Sequence, residues 1–343
     1  MPMLRPAALA LAGVALLALP VRAQGPAAFS RLGMGARAIA GAGQTADLSG
    51  EASPFVNAAL APFQAGQAVE LSAGALSFDR RWSAVQVGAP LRPRAGVAAG
   101  VVSGGVSNID GRDASGTPTG TLRTDEVAFF VAFGIRVSER LSGGVGFRLY
   151  RSDVGLGVTA PTALGLQLGL AARLTPRLSA ALVADDLFAR YEWNASAAGA
   201  GAAVDPFPRR VTLGGAYSLG RRPSGRTRGQ VSADLELSTL AQETTRPNGT
   251  VLNGPVLSAD ETDLTATLAT VRGRVGAEVW IAEPFALRAG VDRLGGSLAE
   301  ARPAIGIAVR QRFTELDARL DYTAALEPYG TGILHMATVR LGL

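Results

Sequence analysis

Val127-Ala128-Phe129-Phe130-Val131-Ala132-Phe133-Gly134-Ile135-Arg136-Val137 is the stretch whose pattern decides the fold. Its odd positions read Val, Phe, Val, Phe, Ile, Val, while its even positions include Ala128, Gly134 and Arg136. A period of two belongs to a β-strand, because successive side chains point to opposite faces. The alternation recurs along the chain. Val231, Ala233, Leu235 and Leu237 alternate with Ser232, Asp234, Glu236 and Ser238. Val271, Val275, Val279 and Ile281 alternate with Arg272, Arg274 and Glu278, and Leu316, Ala318, Leu320 and Tyr322 with Asp317, Arg319 and Asp321. A soluble all-β protein alternates too, so segment length is the discriminating quantity. Soluble strands average about five to six residues, whereas a tilted strand crossing a bilayer needs roughly 9–11. Several segments here reach the longer class.

Fourteen segments read this way: 67–78, 81–91, 94–106, 124–139, 141–154, 161–174, 177–190, 209–220, 227–240, 267–282, 284–294, 301–313, 315–327 and 331–343. The long connections, 107–123, 191–208 and 241–266, all follow odd-numbered segments. Connections such as 138–140, 175–176, Glu283 and Thr314 follow even-numbered ones. Long loops at one end and tight turns at the other are the habit of outer-membrane barrels with even strand numbers. The fold class expected is all-β: a transmembrane outer-membrane barrel of about fourteen antiparallel strands. Only a helix or a closed barrel satisfies every backbone N–H and C=O without water.

The start of the chain bears on compartment. One charge at Arg5 precedes an apolar run from Ala7 to Leu19, and small residues follow at Pro20-Val21-Arg22-Ala23. That is the form of a secretory signal peptide cut after Ala23, the run being shorter than the ~20 residues of a membrane-spanning helix. The expected organisation is a signal peptide over 1–23, an N-terminal plug segment over 24–66 and the barrel over 67–343. Mean hydropathy is +0.22 with 48% hydrophobic residues, and there is no Cys, so disulfides and thiolate metal sites are excluded. The basic residues number 33, all Arg, against 28 acids. They alternate with apolar residues and form no patch, which argues against nucleic acid.

In a barrel the polar rows face the lumen. Arg136, Arg148, Asp234, Glu236, Arg272, Arg274, Glu278, Arg310, Arg312, Asp317, Arg319, Asp321 and Arg340 are the expected lumen-facing charges, read as mutually paired groups bracing a filled interior. Trp82, Trp193, Trp280, Tyr150, Tyr191, Tyr322 and Tyr329 lie near strand ends, where interface anchors belong.

The segment ahead of the barrel carries the most distinctive residues. Phe29…Arg31-Leu32-Gly33-Met34-Gly35-Ala36-Arg37-Ala38 resembles the opening of PorV/PorQ-type outer-membrane proteins, relatives of the FadL-like barrels, and Asn57-Ala58-Ala59-Leu60-Ala61 resembles their second motif. That second motif departs at Val56 and Ala58. Leu182–Leu187, Leu287–Gly296 and the ending from Leu320 to Leu343 are similar to the family's later hairpins. The resemblance implies a FadL-like barrel whose N-terminal segment folds into the lumen as a plug, with Arg31, Gly33, Gly35, Arg37 and Asn57 as its motif residues. It further implies a role in type IX-like protein secretion or surface attachment, with secretion-system or cargo proteins as partners. The alternative is FadL-like uptake of hydrophobic small molecules such as long-chain fatty acids or hydrocarbons. An outer-membrane enzyme stands behind both, because the single His, His335, has no nucleophile spaced to complete a triad. No cofactor or metal is expected. The loop acids Asp260, Glu261 and Asp263 read as a solvated acidic loop.

Overall fold

The computed structural model describes residues 25–41, 44–155, 159–194, 202–220, 228–244 and 264–343. The signal-peptide expectation and the acids Asp260, Glu261 and Asp263 lie outside these residues. The strands are β1 (Ala68–Leu76), β2 (Arg80–Leu91), β3 (Ala95–Arg112), β4 (Pro118–Arg136), β5 (Leu141–Asp153), β6 (Thr162–Arg173), β7 (Leu178–Leu187), β8 (Arg190–Asn194), β9 (Ala202–Pro206), β10 (Arg209–Ser218), β11 (Gly229–Thr244), β12 (Leu264–Trp280), β13 (Phe285–Leu294), β14 (Arg302–Arg312), β15 (Asp317–Leu326) and β16 (Ile333–Gly342). Fourteen of them close into one antiparallel barrel, with β1 bonded to both β2 and β16; β8 and β9 pair only with each other. Closure leaves the barrel without an unpaired edge.

The alternation sorts the two faces. In β4, Phe129, Val131 and Phe133 are between 41% and 56% exposed, while Phe130 between them is 3% exposed. The outer face of the barrel repeats this from strand to strand, through residues such as Leu213, Leu235, Leu287, Ile305, Leu320 and Val339. A continuous apolar belt of this kind is far larger than water tolerates on a protein surface and matches the lipid-facing surface of a barrel.

All three long connections hold strand pairing that the sequence does not suggest. β3 and β4 stay paired well past the belt, out to Arg112 and Pro118, and β11 and β12 run on to Thr244 and Leu264. The stretch 191–208 holds the β8–β9 hairpin. Beyond the belt both faces of the β3–β4 extension are largely exposed, so the hydrophobic alternation disappears there although the backbone ladder continues.

The segment ahead of β1 runs through the barrel interior. Gly25 lies beside Pro208 and Phe29 beside Gly104, toward the long-loop end. Helix α1 (Gly35–Gly41) packs on β12 to β16 and β1, and the 3-10 turn Ala58–Phe63 packs on β2 to β6. The segment emerges at Gly66, beside Leu343, at the short-turn end.

Candidate functional site

The glycines of the opening motif have a steric reason. Gly33 and Gly35 adopt φ of 109° and 78°, a region that other residues enter at a cost. A Cβ on Gly35 would sit 2.9 Å from both Ser72 Oγ and Thr338 Oγ1. The close approach lets Ala36 N–H donate to Thr338 Oγ1 at 2.8 Å, and Thr323 Oγ1 donate to Ala36 C=O at 2.8 Å. Arg31 caps its own turn instead of reaching the wall, donating to Gly25 O and Pro26 O at 2.8 and 2.9 Å. Burial, with Arg210 adding to it, pushes Arg31 down to about 10.

Asn57 orders the second motif. Fully buried, it caps the 3-10 turn through Oδ1, which accepts from Ala59 N–H at 2.9 Å. Its Nδ2 donates to Thr45 O at 3.0 Å and Leu170 O at 3.4 Å. The wall beneath is bare of side chains: Gly96, Gly134, Gly144 and Gly169 lie directly opposite one another across β3, β4, β5 and β6. A Cβ on any of them would collide with Asn57, Ala58, Ala59 or Ala61.

The lumen charges form two buried networks. The first arcs from β5 to β14. Arg148 pairs with Asp185 at 2.8 Å, and Arg210 with Asp186 at 2.8 Å and Glu236 at 3.5 Å. Arg274 joins Glu236 to Asp292 at 2.9 Å each, and Arg302 meets Asp292 at 2.7 Å. Four arginines thus balance four carboxylates. The adjacent Asp185 and Asp186 both point inward because a bulge sets the two of them against Gln167 on β6, with Asp186 at φ 55°. Bulges re-aim side chains in this way. Tyr150 O–H donates to Asp186 at 2.6 Å.

The second network ties the N-terminal segment to the wall. Arg37 pairs with Asp47 and with Glu278 on β12, 2.9 Å each. Glu278 meets Arg288 at 2.6 Å, Arg288 meets Asp321 at 2.6 Å, and Asp321 meets Arg319 at 2.7 Å. Glu51 completes it, bonding Arg319 and, at 2.6 Å, Arg310. Burial alone would raise the Glu51 carboxyl, but Arg319, Arg310 and Arg340 outweigh it and hold the group well below its ordinary value. A depressed carboxyl contributes its tie above the unfolded value and loses it only as pH falls through the depressed one. Acidification from about pH 7 to about pH 5 is therefore expected to leave protease protection of residues 50–66 unchanged. A pH series of limited proteolysis checks this.

Of the other charges expected in the lumen, Asp234 accepts from Thr45 and is buried, and Arg272 is half-buried opposite Glu236. Asp317 lies 3.3 Å from Arg310, and Arg340 lies 3.8 Å from Glu70. Arg136 stands at the short-turn rim, donating to Pro93 O at 2.9 Å. Arg312 departs from the expectation. Its side chain is 68% exposed, since β14 ends there and the chain turns out of the barrel. Sequence reading missed Glu51, Asp185, Asp186, Arg210, Arg288, Asp292 and Arg302. Arg288 and Arg302 alternate visibly with apolar neighbours; the Asp185-Asp186 pair breaks alternation and gives no periodic signal.

Toward the long-loop end the interior turns apolar. Phe29, Met34, Phe55, Trp82, Val102, Phe130, Leu334 and Met336 pack together, beside a stack of Trp193, Tyr191, Phe207 and Tyr150. Five expected interface anchors, Trp193 of that stack among them, therefore face inward. Trp82 and Tyr150 are buried in the lumen, with Trp82 Nε1 donating to Phe29 O at 3.0 Å. Tyr191, on β8 itself, is buried on the face of the hairpin that packs against Phe207, and Trp280 donates to Glu278 below Arg310. Position near a strand end does not tell which face a residue occupies; parity with its neighbours does. His335 is on the outer face, 2.7 Å from Tyr322 O–H and away from the lumen. The interior cavity between Arg31, Arg210 and Arg302 is about 80 Å³, smaller than the ~150 Å³ cavity known to admit benzene.

Fold and interior together define a closed fourteen-strand antiparallel barrel matching FadL-like outer-membrane barrels, with its own N-terminal segment packed in the lumen. Among solved structures, the chain is similar to the CymD monoaromatic hydrocarbon channel, with a TM-score of 0.55 and 13% identity over 90% of this chain and 96% of that one. It is also similar to the Pseudomonas putida toluene transporter TodX, at 0.53 and 13% over 90% and 96%. A Pseudomonas aeruginosa FadL homologue gives 0.54 and 12% over 94% and 98%. These likenesses establish the fold. No protein-family model and no curated protein sequence matches the chain.

Proposed function

We propose that this protein is an outer-membrane channel for small hydrophobic molecules, gated by residues 25–66 acting as a plug. The observation that carries the reading is the packed aromatic and aliphatic cluster toward the long-loop end of a closed, lipid-belted barrel. An apolar solute leaving water gains about 25 cal/mol per Å² buried, and in this reading the cluster's side chains supply such a surface once the N-terminal segment moves aside. The likeness to CymD and TodX supports the same substrate class. In this reading the protein is exported by its cleaved N-terminal signal and sits in the outer membrane of a Gram-negative-type bacterium. The plug motif Arg31, Gly33, Gly35, Arg37 and Asn57 shapes the seal. Passage requires the plug to shift, because the interior cavity is too small for a hydrocarbon. In cells stripped of their own hydrophobic channels, expression is expected to raise uptake of labelled toluene and decanoate several-fold at low concentration. Uptake equal to the empty vector overturns the proposal.

One observation favours a second reading, a PorV/PorQ-like barrel serving protein secretion or surface attachment. The described interior is filled by two buried ion networks, which suits a barrel that works through its surfaces. Extraction from native membranes in mild detergent, followed by mass spectrometry, separates the two. Stoichiometric secretion or cargo proteins favour the second reading; apolar small molecules without a protein partner favour the channel.

A further inference from the structure

Strand register sets three arginines side by side at the short-turn mouth. Arg310 on β14 lies directly opposite Arg319 on β15, and Arg319 lies directly opposite Arg340 on β16. Like charges opposed across a ladder repel one another. Each keeps one wall carboxylate: Asp317 at 3.3 Å from Arg310, Asp321 at 2.7 Å from Arg319 and Glu70 at 3.8 Å from Arg340. Their remaining donors converge on Gly50 and Glu51 of the N-terminal segment. Arg310 Nη2 and Arg319 Nη1 each take one oxygen of the Glu51 carboxylate, and Arg340 donates to the backbone oxygens of Gly50 and Glu51 at 3.2 Å each. One carboxylate bridging two guanidinium groups is strong, charge-assisted recognition. Beside Glu51, whose side chain is 22% exposed, lies a cavity of about 330 Å³. Arg312 lines one side of it, and Phe313, Leu316 and Leu343 give it an apolar flank.

We propose that this pair of arginines and its cavity form a monocarboxylate-binding site that Glu51 occupies in cis. A monocarboxylate with a short apolar tail, arriving from the short-turn side, places its head on Arg310 and Arg319 and its tail against Phe313 and Leu316. It thereby displaces Glu51 and frees the end of the N-terminal segment nearest β1. The site follows from the wall geometry and does not depend on what the barrel conducts.

Benzoate binding to the full-length protein in detergent, measured by calorimetry, tests this. Glu51→Ala is expected to bind benzoate at least tenfold more tightly than the native protein, because the resident competitor is gone. Adding Arg310→Gln and Arg319→Gln to that variant is expected to abolish the gain, and chloride at equal ionic strength is expected not to reproduce it. In the native protein, saturating benzoate is expected to speed proteolysis within residues 50–66, and neutral benzamide is not. Equal benzoate affinity with and without Glu51, or equal displacement by chloride, overturns the proposal. Should Glu51→Ala fail to fold, the native-protein assay decides: cleavage no faster with benzoate than with benzamide overturns it as well.

Discussion

Gly144→Leu is expected to unseat the N-terminal segment while leaving the barrel closed. The Cβ of any residue at 144 would fall on Ala58 C and Ala59 N, which belong to backbone and cannot swing aside as a side chain does. Overpacking an adaptable core costs about 1–3 kcal/mol, and here the obstacle is the 3-10 turn itself. The barrel ladder is untouched, since Gly144 pairs with Gly134 and Gly169 through backbone groups that leucine also carries. The turn must therefore lift, taking the Asn57 cap bonds with it. The expected readouts are unchanged β-content, cleavage of residues 50–66 by added protease, and a several-fold rise in outer-membrane permeability to large hydrophilic antibiotics. A variant as sealed and as protease-resistant as the native protein would show that the glycine row is not what seats the turn.

Arg37→Met is expected to detach the other half of the segment. Arg37 is buried, and its guanidinium holds both Asp47 and Glu278. Glu278 keeps Arg288 as a partner, but the fully buried Asp47 side chain is left without its arginine. Breaking a buried pair by removing one partner costs about 3–5 kcal/mol, because the survivor is an uncompensated charge. That loss falls on the segment's attachment rather than on the barrel, so amide exchange of residues 35–49 is expected to accelerate while the strands stay protected. Adding Asp47→Asn removes the stranded charge and is expected to restore part of the protection. If the double variant exchanges as fast as Arg37→Met, the packing of the arginine stem, and not its charge, anchors α1.

Much of the architecture was legible because a lipid-facing surface imposes a strict rule on sequence. Wherever a strand crosses the belt, alternate residues must be apolar, so the crossings from 67–78 to 331–343 correspond one by one to barrel strands. The rule lapses outside the belt, which is why the outer parts of β3–β4 and β11–β12 read as loops. Inside the lumen it specifies polarity without specifying partners. The alternation marks Glu236, Arg274, Glu278 and Arg319 as inward-facing, yet nothing in spacing joins Arg274 to Asp292 or Arg319 to Glu51. Those neighbours are set by the stagger between strands and by where the segment ahead of β1 lies.

The pattern of the sequence by itself determined a closed β-barrel of about fourteen strands with an apolar outside, because period and segment length are local properties that the bilayer's demand for satisfied backbone makes binding. Only the tertiary structure decided that two acids in succession, Asp185 and Asp186, both face the lumen, that a row of glycines seats the Asn57 turn, and that Glu51 lies across Arg310 and Arg319. Each of these joins residues distant in the chain through a bulge, a register or a close backbone approach. Such contacts exist only once the sheet has closed around the segment it encloses.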